Sequence, residues 1–254
     1  MTYGLWLSTA GLQVNEYRQA VLANNLANAD TVGFKHDLAV MQERPVESAA
    51  GGDARFGHRI LDGMTGGTWV RPTVHTFERG EFEQTGNPMD VAIDGDGFLS
   101  VSDGDETRYT RDGRMTMNPG GELVLTAGEG RWRVLDDGGE PVIVDSTTGG
   151  AIEVSDDGTI RQGGAAIGKL GVVGFADRNQ LSKVGGNLYR NAGPQPTAVA
   201  ARVRSGHVER STVNPVAGLA KMIEAARAYE LNARMISLQD QTIGMAVTTV
   251  GRIG

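Results

Sequence analysis

Cysteine is absent from the 254 residues, which excludes disulfides and every thiolate-based metal or redox centre. That absence suits a chain working outside the cytoplasm. No apolar run approaches the roughly 20 residues that a membrane-spanning helix needs. The opening Met1-Thr2-Tyr3-Gly4-Leu5-Trp6-Leu7-Ser8-Thr9-Ala10 lacks the basic segment and continuous apolar core of a cleavable signal peptide. A cytosolic protein is the default expectation, unless export follows a route that needs no such signal. Basic residues are outnumbered, 24 Lys and Arg against 31 Asp and Glu for a formal charge of −7, so a polyanion such as nucleic acid is a poor partner.

Motifs for chemistry are equally scarce. His36, His58, His75 and His207 show no pair at metal-ligand spacing. Gly95-Asp96-Gly97-Phe98-Leu99-Ser100 begins like a dinucleotide fingerprint but ends in Ser, with no helical pattern behind it. The pairs Asp94/Asp96, Asp103/Asp105, Asp136/Asp137 and Asp156/Asp157 do not fit a twelve-residue calcium loop. Aspartate before glycine is a turn signal, and that accounts for them. With no P-loop or nucleophile elbow, the expectation is no catalytic residue, no cofactor and no metal.

What is present is architecture. A 39% hydrophobic content is enough for a core, in two domains or one large β-rich one. Near the N-terminus Tyr3, Leu7, Ala10, Val14, Tyr17 and Val21 alternate in steps of four and three, continued by Asn24, a heptad seam on one helix. Leu5, Leu12, Leu22 and Leu26 form a stripe on another face, so more than one packing neighbour is implied. Asn24, Asn25 and Asn28 close this helix, because asparagine competes for backbone hydrogen bonds. Gly33 before Phe34 and Lys35 supplies a turn with positive φ at no steric cost.

At the other end Leu219, Met222, Ala226, Tyr229, Ala233, Ile236, Asp240, Ile243, Val247 and Val250 keep the same alternation with one polar member. Ser211, Thr212 or Asn214 can cap the helix and Pro215 suits its first turn, so a helix from about residue 215 to about 250 is expected. Such a helix must find a partner along most of its length, either in other chains or in a hairpin made by the chain's own ends. Between the ends, Asp90-Val91-Ala92-Ile93, Phe98-Leu99-Ser100-Val101 and Tyr109-Thr110-Arg111-Asp112-Gly113 alternate strand with turn. Short apolar runs continue to Val172-Val173-Gly174-Phe175. From Glu43 to about Val74, with glycine pairs at Gly51-Gly52 and Gly66-Gly67, irregular or extended connecting structure is expected, and Val203 to Arg210 reads as one strand before the last helix.

Three blocks together carry a resemblance: Ala23-Asn24-Asn25-Leu26-Ala27-Asn28 with Gly33-Phe34-Lys35; Asp90 to Ile93 with Gly95, Gly97-Phe98 and Tyr109 to Gly113; and Val213-Asn214-Pro215 with Met222 to Ala225 and Arg227 to Asn232. In this order they resemble the flagellar basal-body rod family. Arg227-Ala228-Tyr229-Glu230 looks like the distal-rod branch, and the short connector leaves the proximal-rod branch open. The resemblance implies an α+β fold in which the terminal helices pair as a coiled coil and a mainly-β middle domain is inserted between them. Its divisions are 1–35 plus 213–254 (axial), 36–80 (connector), 81–200 (β-rich) and 201–212 (returning strand or linker).

It further implies a structural subunit that polymerises into the periplasmic drive shaft, exported through the flagellar type III apparatus without a cleavable signal. Its partners would be copies of itself, other rod and hook proteins, and the surrounding rings. Axial packing then falls to Leu7, Val14, Tyr17, Val21, Asn24, Asn25, Leu26, Asn28, Gly33, Phe34, Leu219, Met222, Ala226, Tyr229, Ala233, Ile236, Ile243, Val247 and Val250. The alternative is a β-rich periplasmic protein that binds cell wall or hydrolyses peptidoglycan.

Overall fold

Residues 2–45, 65–145 and 149–250 are described by a computed structural model of the chain; Gly51-Gly52 of the expected connector and His58 lie outside them. The chain is α+β, with a helix at each end and a mainly-β middle. It divides into two units, one of residues 1–27, 37–76 and 214–254, the other of residues 28–36 and 77–213.

In the first unit, α1 (Thr2–Ala27) and α2 (Pro215–Val250) lie against each other. Asn214 caps α2: its Oδ1 accepts the Ala217 amide at 3.0 Å and its carbonyl accepts that of Gly218 at 2.9 Å. Pro215 follows in the first helical position, where the missing N–H costs nothing. Two short ladders flank the connector expected to be irregular or extended. Strand β1 (Asp37–Leu38) pairs with β4 (Val74–His75), and β2 (Met41–Glu43) pairs with β3 (Thr68–Val70), both antiparallel. Strand β3 also packs on α1, and Gly67 at its start has φ +84°, with Trp6 where a side chain would go.

The second unit is built from β5 (Phe82–Gln84), β6 (Val91–Asp94), β7 (Phe98–Ser102), β8 (Thr107–Thr110), β9 (Met115–Met117), β10 (Leu123–Leu125) and β11 (Arg133–Val134). After them come β12 (Ile152–Val154), β13 (Thr159–Gln162), β14 (Ala165–Lys169), β15 (Val172–Gly174), β16 (Leu181–Lys183), β17 (Leu188–Asn191), β18 (Thr197–Ala198), β19 (Arg202–Ser205) and β20 (His207–Glu209). The main sheet runs β16-β17-β8-β7-β11-β10-β9, with β15 paired to β7 and β18; β12-β13-β14 form a separate sheet. The core is aliphatic, centred on Val91, Leu99, Val101, Leu123, Val134, Ile160 and Val203. Beside it Phe98, Tyr109, Leu181 and Tyr189 bury a second cluster, in which Tyr109 meets Phe175 edge-on at 4.8 Å, a favoured aromatic geometry.

The single strand expected over Val203 to Arg210 is two. Gly206, at φ +69°, breaks it, so that β19 pairs with β6 and β20 with β5. Alternation reads through a glycine, but a left-handed residue turns the strand out of its first ladder.

Candidate functional site

Gly33, Arg111 and Glu209 stand far apart in sequence and meet in the β-rich unit. Gly33 has φ +68°, and a Cβ placed on it would lie 2.5 Å from the Arg111 carbonyl carbon and 2.7 Å from the Asp112 nitrogen. Glycine is therefore required twice at this turn, for its dihedral and for the closeness of the neighbouring backbone. Its amide donates to the Glu209 carbonyl at 2.7 Å. Before it, the Asn28 carbonyl accepts the Thr31 amide at 3.2 Å, and Asn28 Oδ1 accepts the Thr31 hydroxyl at 3.1 Å.

Two residues past Gly33 the chain buries a charge. Lys35 Nζ lies 2.5 Å from Glu209 Oε1, with each side chain 1% exposed, and also donates to the Glu78 carbonyl at 2.5 Å. Glu209 Oε1 accepts the Gly80 amide at 2.7 Å, and its Oε2 faces Arg111 Nη1 at 3.4 Å. Arg111 reaches onward to the Gly95 carbonyl at 2.9 Å and lies over the Phe98 ring at 5.0 Å. Burial pulls the Lys35 ammonium below the ordinary lysine value, with Glu209 opposing that shift. Arg111 is likewise lowered by burial, with Glu209 opposing. A buried charge is tolerated only when paired and hydrogen-bonded, and here one carboxylate serves two cations. Phe34 is buried beside them, with the Lys183 ammonium 3.8 Å from its ring centroid, within cation–π range.

This arrangement ties together three remote segments and is closed to solvent. Among the described residues no group of three or more His, Asp or Glu side chains is placed to hold a metal ion. The expectation for Lys35 and Arg111 went no further than their place in the motif blocks, and Glu209 was not singled out at all. Only their flanking glycines signalled that something close-packed stood there.

In the helical unit Asn25 is buried, and its amide clips the Asp37 main chain at both ends. Nδ2 donates to the Asp37 carbonyl and Oδ1 accepts the Asp37 amide, each at 2.8 Å. Asp37 in turn pairs with His75 at 2.7 Å across the β1–β4 ladder. Val14 is buried, Leu7, Tyr17, Val21 and Leu26 are half-buried, and Asn24 is exposed.

On α2 the less exposed positions include Gly218, Met222, Ala225, Tyr229, Asn232, Ile236, Gln239, Ile243 and Ala246, a four-three alternation. It shares Met222, Tyr229, Ile236 and Ile243 with the seam expected from sequence. Its other members each lie one residue before the expected ones. Ala226 is half-buried, while Leu219, Ala233 and Val247 are exposed. Among the charged residues exposed on α2 stand several large apolar ones: Val216 is 78% exposed, Leu231 61%, Met245 62% and Val247 65%, and Ile223, Met235 and Leu238 are exposed too.

A helix pair that leaves large apolar side chains of α2 exposed, and a β-rich unit closed around a structural ion cluster, define an architectural subunit. Three family descriptions match the chain in order: "Flagella basal body rod protein" over residues 8–35, "Flagellar hook protein FlgE/F/G D1 domain" over 92–162, and "Flagellar basal body rod FlgEFG protein C-terminal" over 204–249. The flagellar basal-body rod protein FlgF of Caulobacter vibrioides is 39% identical over 240 residues, covering 92% of this chain and 91% of its own. The rod protein FlgG of Buchnera aphidicola subsp. Baizongia pistaciae is 32% identical, covering 96% and 98%, and FlgG of Bacillus subtilis is 30% identical, covering 96% and 97%. The chain belongs to the flagellar basal-body rod family, of FlgF/FlgG type, and is a structural subunit of the basal body.

Proposed function

We propose that this subunit polymerises through its terminal helices into the shaft that carries torque from motor to hook. The observation that carries the proposal is the outward face of α2. Ile223, Leu231, Leu238 and Met245 are each about half exposed or more, at spacings of seven or eight residues along one side of the helix. Large apolar side chains exposed in a row along one helix mark an interaction site. The terminal helices α1 and α2 would act as an axial domain paired as a coiled coil, and residues 81–200 would form the outer layer.

Copies joined head to tail by an interface that does not close make a helical filament, whose stiffness comes from many helices sharing the load. Other rod and hook proteins would continue the filament, and the surrounding rings would enclose it in the periplasm. Delivery would run through the flagellar type III apparatus. The peptidoglycan-directed alternative draws no support from the relatives named above, all of them rod proteins.

The test uses exposed residues, so that folding is left intact. Leu231→Asp and Leu238→Asp, each supplied as the cell's only copy, should give a stable chain that fails to enter the basal body and cells that do not swim. Normal rods and normal swimming in both variants would overturn the proposal.

A further inference from the structure

Two contacts in the helical unit stand seven residues apart on both helices. A Cβ added at Gly11 would lie 2.9 Å from Asn232 Oδ1 and 3.2 Å from its Cγ, and one added at Gly4 would lie 2.9 Å from Gln239 Nε2. The order reverses between the helices, so α1 and α2 run antiparallel. We infer that these two glycine–amide contacts set the register of the helix pair: each amide of α2 sits in the space that a glycine leaves on α1.

The amides act here by volume. Asn232 Nδ2 is bonded to the Ala228 carbonyl of its own helix at 2.9 Å, and Gln239 Oε1 is buried with no hydrogen-bond partner among the described residues. Neither therefore owes its position to a hydrogen bond across the seam. Carried along the pair, the same register sets Leu7, Val14 and Val21 opposite Ile236, Tyr229 and Met222. These apolar layers do not choose a register, because a slide of one heptad sets apolar against apolar again. The other layers do choose. The native register sets long Arg18 opposite Ala225, which is 0% exposed; a one-heptad slide sets Arg18 against Asn232 and leaves Gly4 facing Ala246. One filled layer becomes crowded and another becomes a void, and both faults are destabilising. A few non-apolar seam positions are enough to specify register in paired helices. In a load-bearing shaft, that register keeps the exposed apolar side chains of α2 at a constant height along α1.

The inference rests on the pairing of the two ends within one chain, and the test separates the two. Because the chain has no cysteine, introduced pairs report without background. In the full chain, supplied as the only copy in motile cells, Gly11→Cys with Asn232→Cys should form an intramolecular disulfide about tenfold more completely than the slid pairs Gly11→Cys with Gln239→Cys or Gly11→Cys with Ala225→Cys, because disulfide geometry tolerates little displacement. A slid pair that bonds as readily overturns the register while leaving the pairing intact. No intramolecular bond in any pair overturns the pairing itself. By volume exchange, Gly11→Asn should stop swimming and Gly11→Asn with Asn232→Gly should recover it in part; a double variant no better than the single one also overturns the register.

Discussion

Lys35 and Glu209 are 174 residues apart in sequence, yet their charged atoms stand 2.5 Å apart in surroundings that leave each side chain 1% exposed. Arg111 shares the same carboxylate. Three segments remote in sequence therefore meet at one buried point.

Glu209→Gln should be the most damaging isosteric change in the β-rich unit. It leaves two buried cations without their counter-charge, and breaking such a cluster costs about 3–5 kcal/mol. Lys35→Met should cost less, because Glu209 keeps Arg111 and the Gly80 amide as partners. Urea unfolding followed by tryptophan fluorescence would rank the two variants, and the reverse order would contradict the cluster as described.

Gly33→Ala should destabilise the same unit by more than about 1 kcal/mol, since a side chain at positive φ is strained and its Cβ would overlap the Arg111 and Asp112 backbone. Gly164→Ala is the control: φ is +88° with nothing within 4 Å of the added carbon, so it shows the dihedral cost alone. The gap between their denaturation midpoints measures the overlap.

Asn25→Ala removes both hydrogen bonds to the Asp37 main chain, at about 1–3 kcal/mol in all. The Asp37 amide should lose protection from hydrogen exchange, while amides in the middle of the main β-sheet keep theirs.

Acid should weaken the β-rich unit in a predictable window. The Arg131 guanidinium bonded to Asp103 holds that carboxyl below the ordinary 3.8, and hydrogen bonds from Thr159 do the same for Asp157. A carboxyl whose folded value is depressed binds its proton less readily than in the unfolded chain. Its stabilisation is thus present above pH 3.8 and lost as pH falls through the lower, folded value. Asp103→Asn should flatten the decline of thermal stability below pH 3.8, and an unchanged slope would exclude this origin.

Much of the fold is legible without coordinates because its determinants are local. Asn214 and Pro215 announce the start of α2 by hydrogen-bonding capacity and fixed φ, and Asp-Gly pairs mark turns by the same kind of short-range chemistry. The face that α2 turns inward coincides with its apolar heptad only in part. Leu219, Ala233 and Val247 continue an apolar heptad, but the face turned inward is one residue earlier, through Gly218, Asn232 and Ala246. Hydrophobic periodicity cannot foresee that glycines on α1 would admit amides and leave the larger apolar residues outside.

The sequence by itself determined where α1 stops, where α2 starts and where strands alternate with turns, since each follows from residues within a turn or two of one another. Tertiary structure alone decided which face of α2 is spent and which is left open, and that Lys35, Arg111 and Glu209 share one buried site. Those outcomes depend on volumes and charges brought together by chain folding, and a lysine destined for a buried carboxylate has no local pattern to distinguish it from one in water.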